Sequence, residues 1–168
     1  MLDSLITSKT RLRLLIKFFL NITNKGYLNG LANEFGESTN SIRKELNNLS
    51  SAGYLKKYSE NNKVVYKAND SHPLFKIIQR IVKKHLGIEE ILETVLKRMG
   101  DVKKIMILGD YAEGIDSGHI EILIVGDKIR EDYLKEITPK IEKKINRKVS
   151  FFVSNSTLKQ KTLTIFES

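Results

Sequence analysis

The stretch Ser38-Thr39-Asn40-Ser41-Ile42-Arg43-Lys44-Glu45-Leu46-Asn47-Asn48-Leu49-Ser50-Ser51-Ala52-Gly53-Tyr54-Leu55 decides how this sequence folds. Counting from Ile42, the residues Leu46, Leu49 and Gly53 follow at four, seven and eleven positions, the spacing that lays one apolar stripe along a helix. On a helical wheel centred on Leu46, Asn40, Ser41, Lys44 and Asn48 point away from the stripe, and Arg43 and Asn47 flank it. That outward face carries hydrogen-bonding groups and positive charge, with Glu45 as its single interruption. Ser38 suits the N-cap, because its hydroxyl can accept from the free N–H groups of the first turn, and Gly53 supplies a left-handed residue to end the helix. The helix is short, bounded and presented.

Its neighbours indicate what it is presented to. Residues 27–35 read as a shorter helix with Leu28, Leu31, Ala32 and Phe35 on one side, and Phe35-Gly36-Glu37 forms a tight turn into Ser38. Two helices joined in this way make a helix-turn-helix. Residues 54–58 and 64–68 alternate as two strands, with Ser59-Glu60-Asn61-Asn62-Lys63 as the polar tip between them, so a wing follows the second helix. The order of helix, helix-turn-helix and basic hairpin is more specific than a polar helix face alone.

The charges divide the chain. Up to Leu86 there are 15 Lys and Arg against 6 Asp and Glu, and from Gly87 onward 14 against 14, so the whole net charge of +9 sits in the half that holds the helix-turn-helix. A polyanion partner for that half follows, since neutralised phosphates release counterions and supply affinity that is independent of sequence. The absence of cysteine excludes disulfides, thiolate zinc sites and a cysteine nucleophile. His72, His85 and His119 lie too far apart in sequence for a histidine metal cluster, and no metal or cofactor is expected. No stretch reaches the length of a membrane span, and Met1-Leu2-Asp3-Ser4 lacks the basic start of a secretory signal, so a cytoplasmic location is expected.

In chain order, Thr7 and Ser8 can cap a first helix running to about Leu20, with Leu12, Leu15, Ile16, Phe19 and Leu20 packing beneath the helix-turn-helix. Residues 21–26 read as a polar turn. The cluster Asn69-Asp70-Ser71-His72-Pro73 closes the first domain. Residues 74–86 read as a helix whose apolar residues, including Leu74, Ile77, Ile78, Ile81 and Val82, cover more than one narrow face, which fits either a helix facing both its own domain and a symmetry mate or a plain interdomain linker helix. Gly87 breaks it, and residues 88–99 form another amphipathic helix. Beyond these come a strand at 102–108, a continuous apolar strand at 120–125, a helix at 130–145 and a third strand at 148–153; residues 155–168 give no clear pattern. The expected class is α+β in two domains: a winged helix-turn-helix over 1–70, linker and packing helices over 71–100, and a small α/β domain over 101–168.

The segment Leu108-Gly109-Asp110-Tyr111-Ala112-Glu113-Gly114, followed by Gly118-His119-Ile120-Glu121-Ile122-Leu123-Ile124-Val125-Gly126, resembles the signature of the minimal nucleotidyltransferase domains. With the preceding winged helix, the chain looks like a fusion of an ArsR-like winged helix to such a domain. The resemblance implies a Gly-Ser turn that cradles a triphosphate and two strand aspartates, two residues apart, that hold catalytic metals. This sequence departs from that pattern: Asp110 stands in place of the serine, His119 in place of the first aspartate and Glu121 in place of the second. Ser150 falls where a third carboxylate is expected, and Asp116 is the one acid nearby that could replace it.

These features together lead to the expectation of a dimeric, DNA-binding transcriptional regulator. Asn40, Ser41, Arg43, Lys44, Asn47 and Lys63 are the DNA-contacting candidates. The second domain would keep the nucleotidyltransferase fold without its chemistry, leaving a degenerate pocket at Gly109, Asp110, His119 and Glu121 that serves packing or a small-molecule or nucleotide effector. The alternative is a working metal-dependent nucleotidyltransferase that uses Glu121, Asp116 and Asp110, with the winged helix as its targeting module.

Overall fold

The first helix, α1 (Lys9–Leu20), is capped by Ser8, whose Oγ accepts the Arg11 N–H at 3.1 Å. From Leu14 to Leu20 every side chain is buried, Lys17 included, so α1 is the central helix around which its neighbours pack. A single 3-10 turn, Leu2–Ser4, precedes it. This is a computed structural model describing residues 1–168, and the chain divides into two compact units, Met1–Val82 and Lys83–Ser168.

In the first unit a three-residue strand, β1 (Lys25–Tyr27), leads into α2 (Leu28–Phe35). Gly36 ends α2 in the left-handed conformation at φ 62°, and the Glu37 N–H reaches back to the Ala32 carbonyl at 3.1 Å. Then α3 (Thr39–Ser51) starts on Ser38, whose Oγ accepts the Ser41 N–H at 3.3 Å, and stops at Gly53, which takes φ 80°. Ile42, Leu46 and Leu49 are almost fully buried on its inner side. Their burial contributes roughly 2 kcal/mol each to docking the helix, and Leu46→Ala would cost about 2 to 5 kcal/mol by removing a central contact and leaving a cavity. The hairpin of β2 (Leu55–Glu60) and β3 (Lys63–Ala68) follows.

The hairpin is longer than the alternation indicates. Its tip is only Asn61-Asn62, at φ 50° and 61°, because two consecutive left-handed residues make the tight turn whose twist matches paired strands, and asparagine tolerates that conformation. Residues 21–26 are likewise not all turn. Lys25, Gly26 and Tyr27 pair with Lys67, Tyr66 and Val65, giving a sheet in the order β1-β3-β2. Three residues carry no readable alternation; the strand exists because β3 would otherwise leave an unpaired edge. Gly26 is required there by packing, since a Cβ would fall 2.8 Å from Leu31.

Helix α4 (Phe75–Leu86) carries the chain from one unit to the other. Phe75, Val82 and Leu86 are buried, whereas Leu74, just before the helix, Ile77 and Ile81 are 41%, 55% and 41% exposed. At Gly87 φ is 81° and a Cβ would fall 2.4 Å from Ile145, so both backbone and packing demand glycine. Helix α5 (Ile88–Leu96) ends three residues earlier than its pattern suggests, and Met99 is buried from the following loop instead. The rest is β4 (Asp101–Leu108), the short α6 (Gly109–Ala112), β5 (His119–Asp127), α7 (Glu131–Ile145), β6 (Lys148–Ser154) and β7 (Leu163–Glu167).

The second sheet has the order β6-β5-β4-β7, with β5 and β6 parallel and the other pairs antiparallel. A parallel neighbour needs a crossover, and α7 provides it while packing on β6 and α5. Ile120, Ile122 and Ile124 have no exposed surface, as expected of a central strand. The tail holds β7, which pairs with β4 at the sheet edge; its short run Leu-Thr-Ile-Phe-Glu lacks the length to declare itself. The whole is a mixed α+β protein with seven α-helices and two sheets. No helix is long and apolar enough to cross a membrane.

Candidate nucleic-acid interface

Helix α3 exposes Asn40, Ser41, Arg43, Lys44, Asn47 and Asn48 while its apolar stripe faces inward. Arg43 donates to Asn40 Oδ1 at 3.1 Å, which steadies the guanidinium along the helix surface. Between α3, the start of α2 and the hairpin lies a groove of about 360 Å³, lined by Arg43, Asn47, Lys63, Tyr27, Val64 and Tyr66 among others. Three of the sequence-derived residues, Arg43, Asn47 and Lys63, therefore converge on one groove. Asn40, Ser41 and Lys44 do not line it, but share the exposed side of the same helix. Lys63 Nζ stands 4.1 Å from the centroid of the Tyr27 ring, whose ring edge lies where a Cβ on Gly30 would come within 3.0 Å.

Glu45 does not interrupt the outward face. Its carboxylate is 6% exposed and turns back to α1, accepting from Arg11 Nε at 2.8 Å and Ser8 Oγ at 3.0 Å. Its charge alone suggests the outer face, but Glu45 borders the apolar stripe on the wheel, and a basic residue on α1 makes burial of this acid affordable. The same sorting recurs: Arg13 pairs with Glu37 at 3.1 Å and Lys17 with Glu34 at 2.7 Å. On the hairpin, Lys25 pairs with Glu60, which raises the lysine pKa, and Lys56 meets Asp70 at 3.5 Å. The acids of the first unit are thus held by bases away from the outer side of α3, and the charges of Arg43 and Lys44 are left uncompensated by any carboxylate there.

In the second unit, Gly109 turns the end of β4 into α6 at φ 59°. A Cβ there would fall 2.2 Å from Glu121 Oε2, so the Glu121 carboxylate lies directly over the turn. Asp110, in the first turn of α6, is exposed. His119 Nε2 and Ser150 Oγ are 2.7 Å apart, and Ser150 stands opposite Glu121 across the parallel pair β5 and β6. Gly109, Glu121 and Ser150 are therefore gathered at one end of the sheet with His119.

Asp116 belongs to a different cluster. Arg147 grips it with Nε to Oδ1 at 2.9 Å and Nη2 to Oδ2 at 2.7 Å, and the Tyr111 hydroxyl donates to the same carboxylate. Arg147 also donates to the carbonyls of His85 and Ile145, at 3.3 and 3.2 Å. Burial by itself would raise the Asp116 pKa, but the bonds from Arg147 and Tyr111 outweigh it and hold the carboxyl below the usual range. Burial and the adjoining carboxylate push the Tyr111 phenol up. Nowhere in the chain do three His, Asp or Glu side chains converge as metal ligands. The residues present do not fit a pair of divalent ions: Asp116 is engaged by an arginine, Glu121 lies on the turn a phosphate would need, and the exposed Asp110 converges with no two other ligands.

No family model and no curated protein matches the sequence. Among solved structures, the crystal structure of the AntR antimony-specific transcriptional repressor is similar to this chain at 17% identity and a TM-score of 0.38, covering 52% of this chain and 71% of that one. Sso10a-2, a DNA-binding protein from Sulfolobus solfataricus, is similar at 18% identity and a TM-score of 0.36, covering 50% of this chain and 85% of that one.

Two parts of these sites escaped the sequence reading. Tyr27 was assigned to the start of a helix, yet it sits in extended conformation as the N-cap of α2 and its ring supports Lys63. Arg147 carried no signal at all, because its partner Asp116 is 31 positions away and the pair forms only when the loop after α6 meets the start of β6.

Proposed function

We propose that the first unit is a winged helix-turn-helix that binds double-stranded DNA, and that the protein is a homodimeric, ArsR-like transcriptional regulator. The observation that carries the reading is the groove where Arg43 and Asn47 of α3 meet Lys63 of the hairpin, bordered by an outer helix face whose positive charge no acid cancels. Arg43 and Lys44 are assigned to guanine edges or phosphates, Asn40, Ser41 and Asn47 to further polar contacts, and Lys63 to the backbone. Leu74, Ile77 and Ile81, exposed at or beside α4, support a two-fold interface on that helix, since a small reader gains affinity by spanning paired half-sites.

The second unit is proposed to be a nucleotidyltransferase-like domain that has lost its metal chemistry. Support comes from Glu121 lying over the Gly109 turn, from the pairing of His119 with Ser150 and from the capture of Asp116 by Arg147. Fluorescence anisotropy of the full chain against labelled duplex fragments tests the first part: salt-sensitive binding is expected, and no binding at low salt overturns it. Calorimetry with magnesium and nucleoside triphosphates tests the second, where micromolar, magnesium-dependent binding would overturn the loss of chemistry.

A further inference from the structure

A second groove, of about 380 Å³, shares Tyr27 and Lys63 with the first and lies between β1, α2 and the hairpin. Leu31 and Val65 form its floor but are only 2% and 5% exposed, so the half-buried Tyr27 ring is its main apolar wall. Five charged side chains line it, and four are already matched: Lys17 with Glu34 at 2.7 Å and Lys25 with Glu60 at 2.8 Å. The fifth is Lys63, whose ammonium has only the face of Tyr27. The groove is thus an apolar slot with one uncommitted positive charge at its rim.

We infer that this groove is an effector site for small, flat organic monoanions, aromatic carboxylates above all, and that their binding opposes DNA binding through Lys63. The volume falls within the range of small-molecule sites, and an apolar body with a single polar anchor is what such a lining recognises. A carboxylate at the rim would take a charge-assisted hydrogen bond from Lys63 while the ligand's ring lies beside Tyr27 over the groove floor. Nucleotides are the wrong class, because several phosphate charges would meet one available cation and two nearby carboxylates.

The regulatory consequence follows from shared walls. Lys63 and Tyr27 line both this groove and the one beside α3. An ammonium engaged by a carboxylate on one side is no longer free for a phosphate on the other, so the two ligands weaken each other by the same factor. This coupling rests on the DNA-binding reading above, whereas the site itself does not.

The test uses the full chain and 2-naphthoate as the probe, with 2-naphthamide as its neutral counterpart. Intrinsic probe fluorescence should show saturable binding of the acid, with the amide about tenfold weaker. Lys63→Met should weaken the acid by a similar factor and leave the amide unchanged, while Lys67→Met, at a hairpin lysine outside the groove, should leave both unchanged. Circular dichroism confirms that each variant is folded. Absence of saturable binding into the millimolar range, equal binding of acid and amide, or an equal loss in both variants overturns the site. Duplex binding by the unmodified chain should then weaken as the acid is added and not as the amide is added. Acid binding with no effect on DNA affinity overturns the coupling. A chain that binds the acid but no DNA at any salt refutes the regulator reading and, with it, the coupling, while the site stands.

Discussion

Arg43→Ala is the perturbation that most directly probes the interface. Arg43 sits on the exposed side of α3, is tied only to Asn40 within its own helix and borders the same groove as Lys63. Arg43, Lys44 and Lys63 are three uncompensated cations per protomer on this surface, or six in a dimer, if each reaches a phosphate. Each neutralised phosphate contributes about −0.9 to the slope of log affinity against log salt, so the unmodified dimer should show a slope near −5 and lose roughly a thousandfold in affinity between 50 and 200 mM salt. Removing Arg43 from both protomers should reduce the slope by about 1.8 if the contact is to phosphate. If the guanidinium instead reads a base edge, the loss should be about 1 to 3 kcal/mol per half-site, confined to the preferred sequence. Anisotropy titrations at several salt concentrations, on a preferred fragment and on random duplex, separate the two outcomes. An unchanged slope together with unchanged affinity on both DNAs would refute the assignment of α3 as the reading helix.

Other consequences are equally concrete. Arg11→Met leaves the buried Glu45 carboxylate with only Ser8, and, Arg11 being half exposed, should lower the stability of the first unit by about 1 to 3 kcal/mol in urea denaturation; no measurable loss would mean that Glu45 is not held as described. The folded-state pKa of Asp116 is depressed, so its contribution is fully present above the unfolded value of about 3.9 and is lost as pH falls through the folded one. Asp116→Asn should therefore flatten the acid limb of stability against pH below about pH 4, and an unaltered limb counts against the Arg147 clasp. Replacing Ile77 and Ile81 together by Glu should shift light scattering from twice the chain mass to the chain mass without loss of helix signal; an unmodified chain that is already monomeric at tens of micromolar removes α4 as the interface.

Periodicity and end signals made much of the framework legible. Ile42, Leu46 and Leu49 at helical spacing, with Ser38 before and Gly53 after, specify α3 locally, and the structure places all five as that pattern requires. The unbroken apolar run at residues 122–125 likewise announces a strand buried on both faces, because no amphipathic alternative accommodates it. Such features depend on neighbours within a turn or two of chain. What only the tertiary structure decided involves partners far apart in sequence. Strand β1 exists because β3 offers an edge, Glu45 is buried because Arg11 lies 34 positions earlier on α1, and Asp116 is lost to any pocket because Arg147 reaches it across 31 positions. In each case the local residues permit more than one state, and a charge or an unpaired backbone edge brought close by folding selects among them.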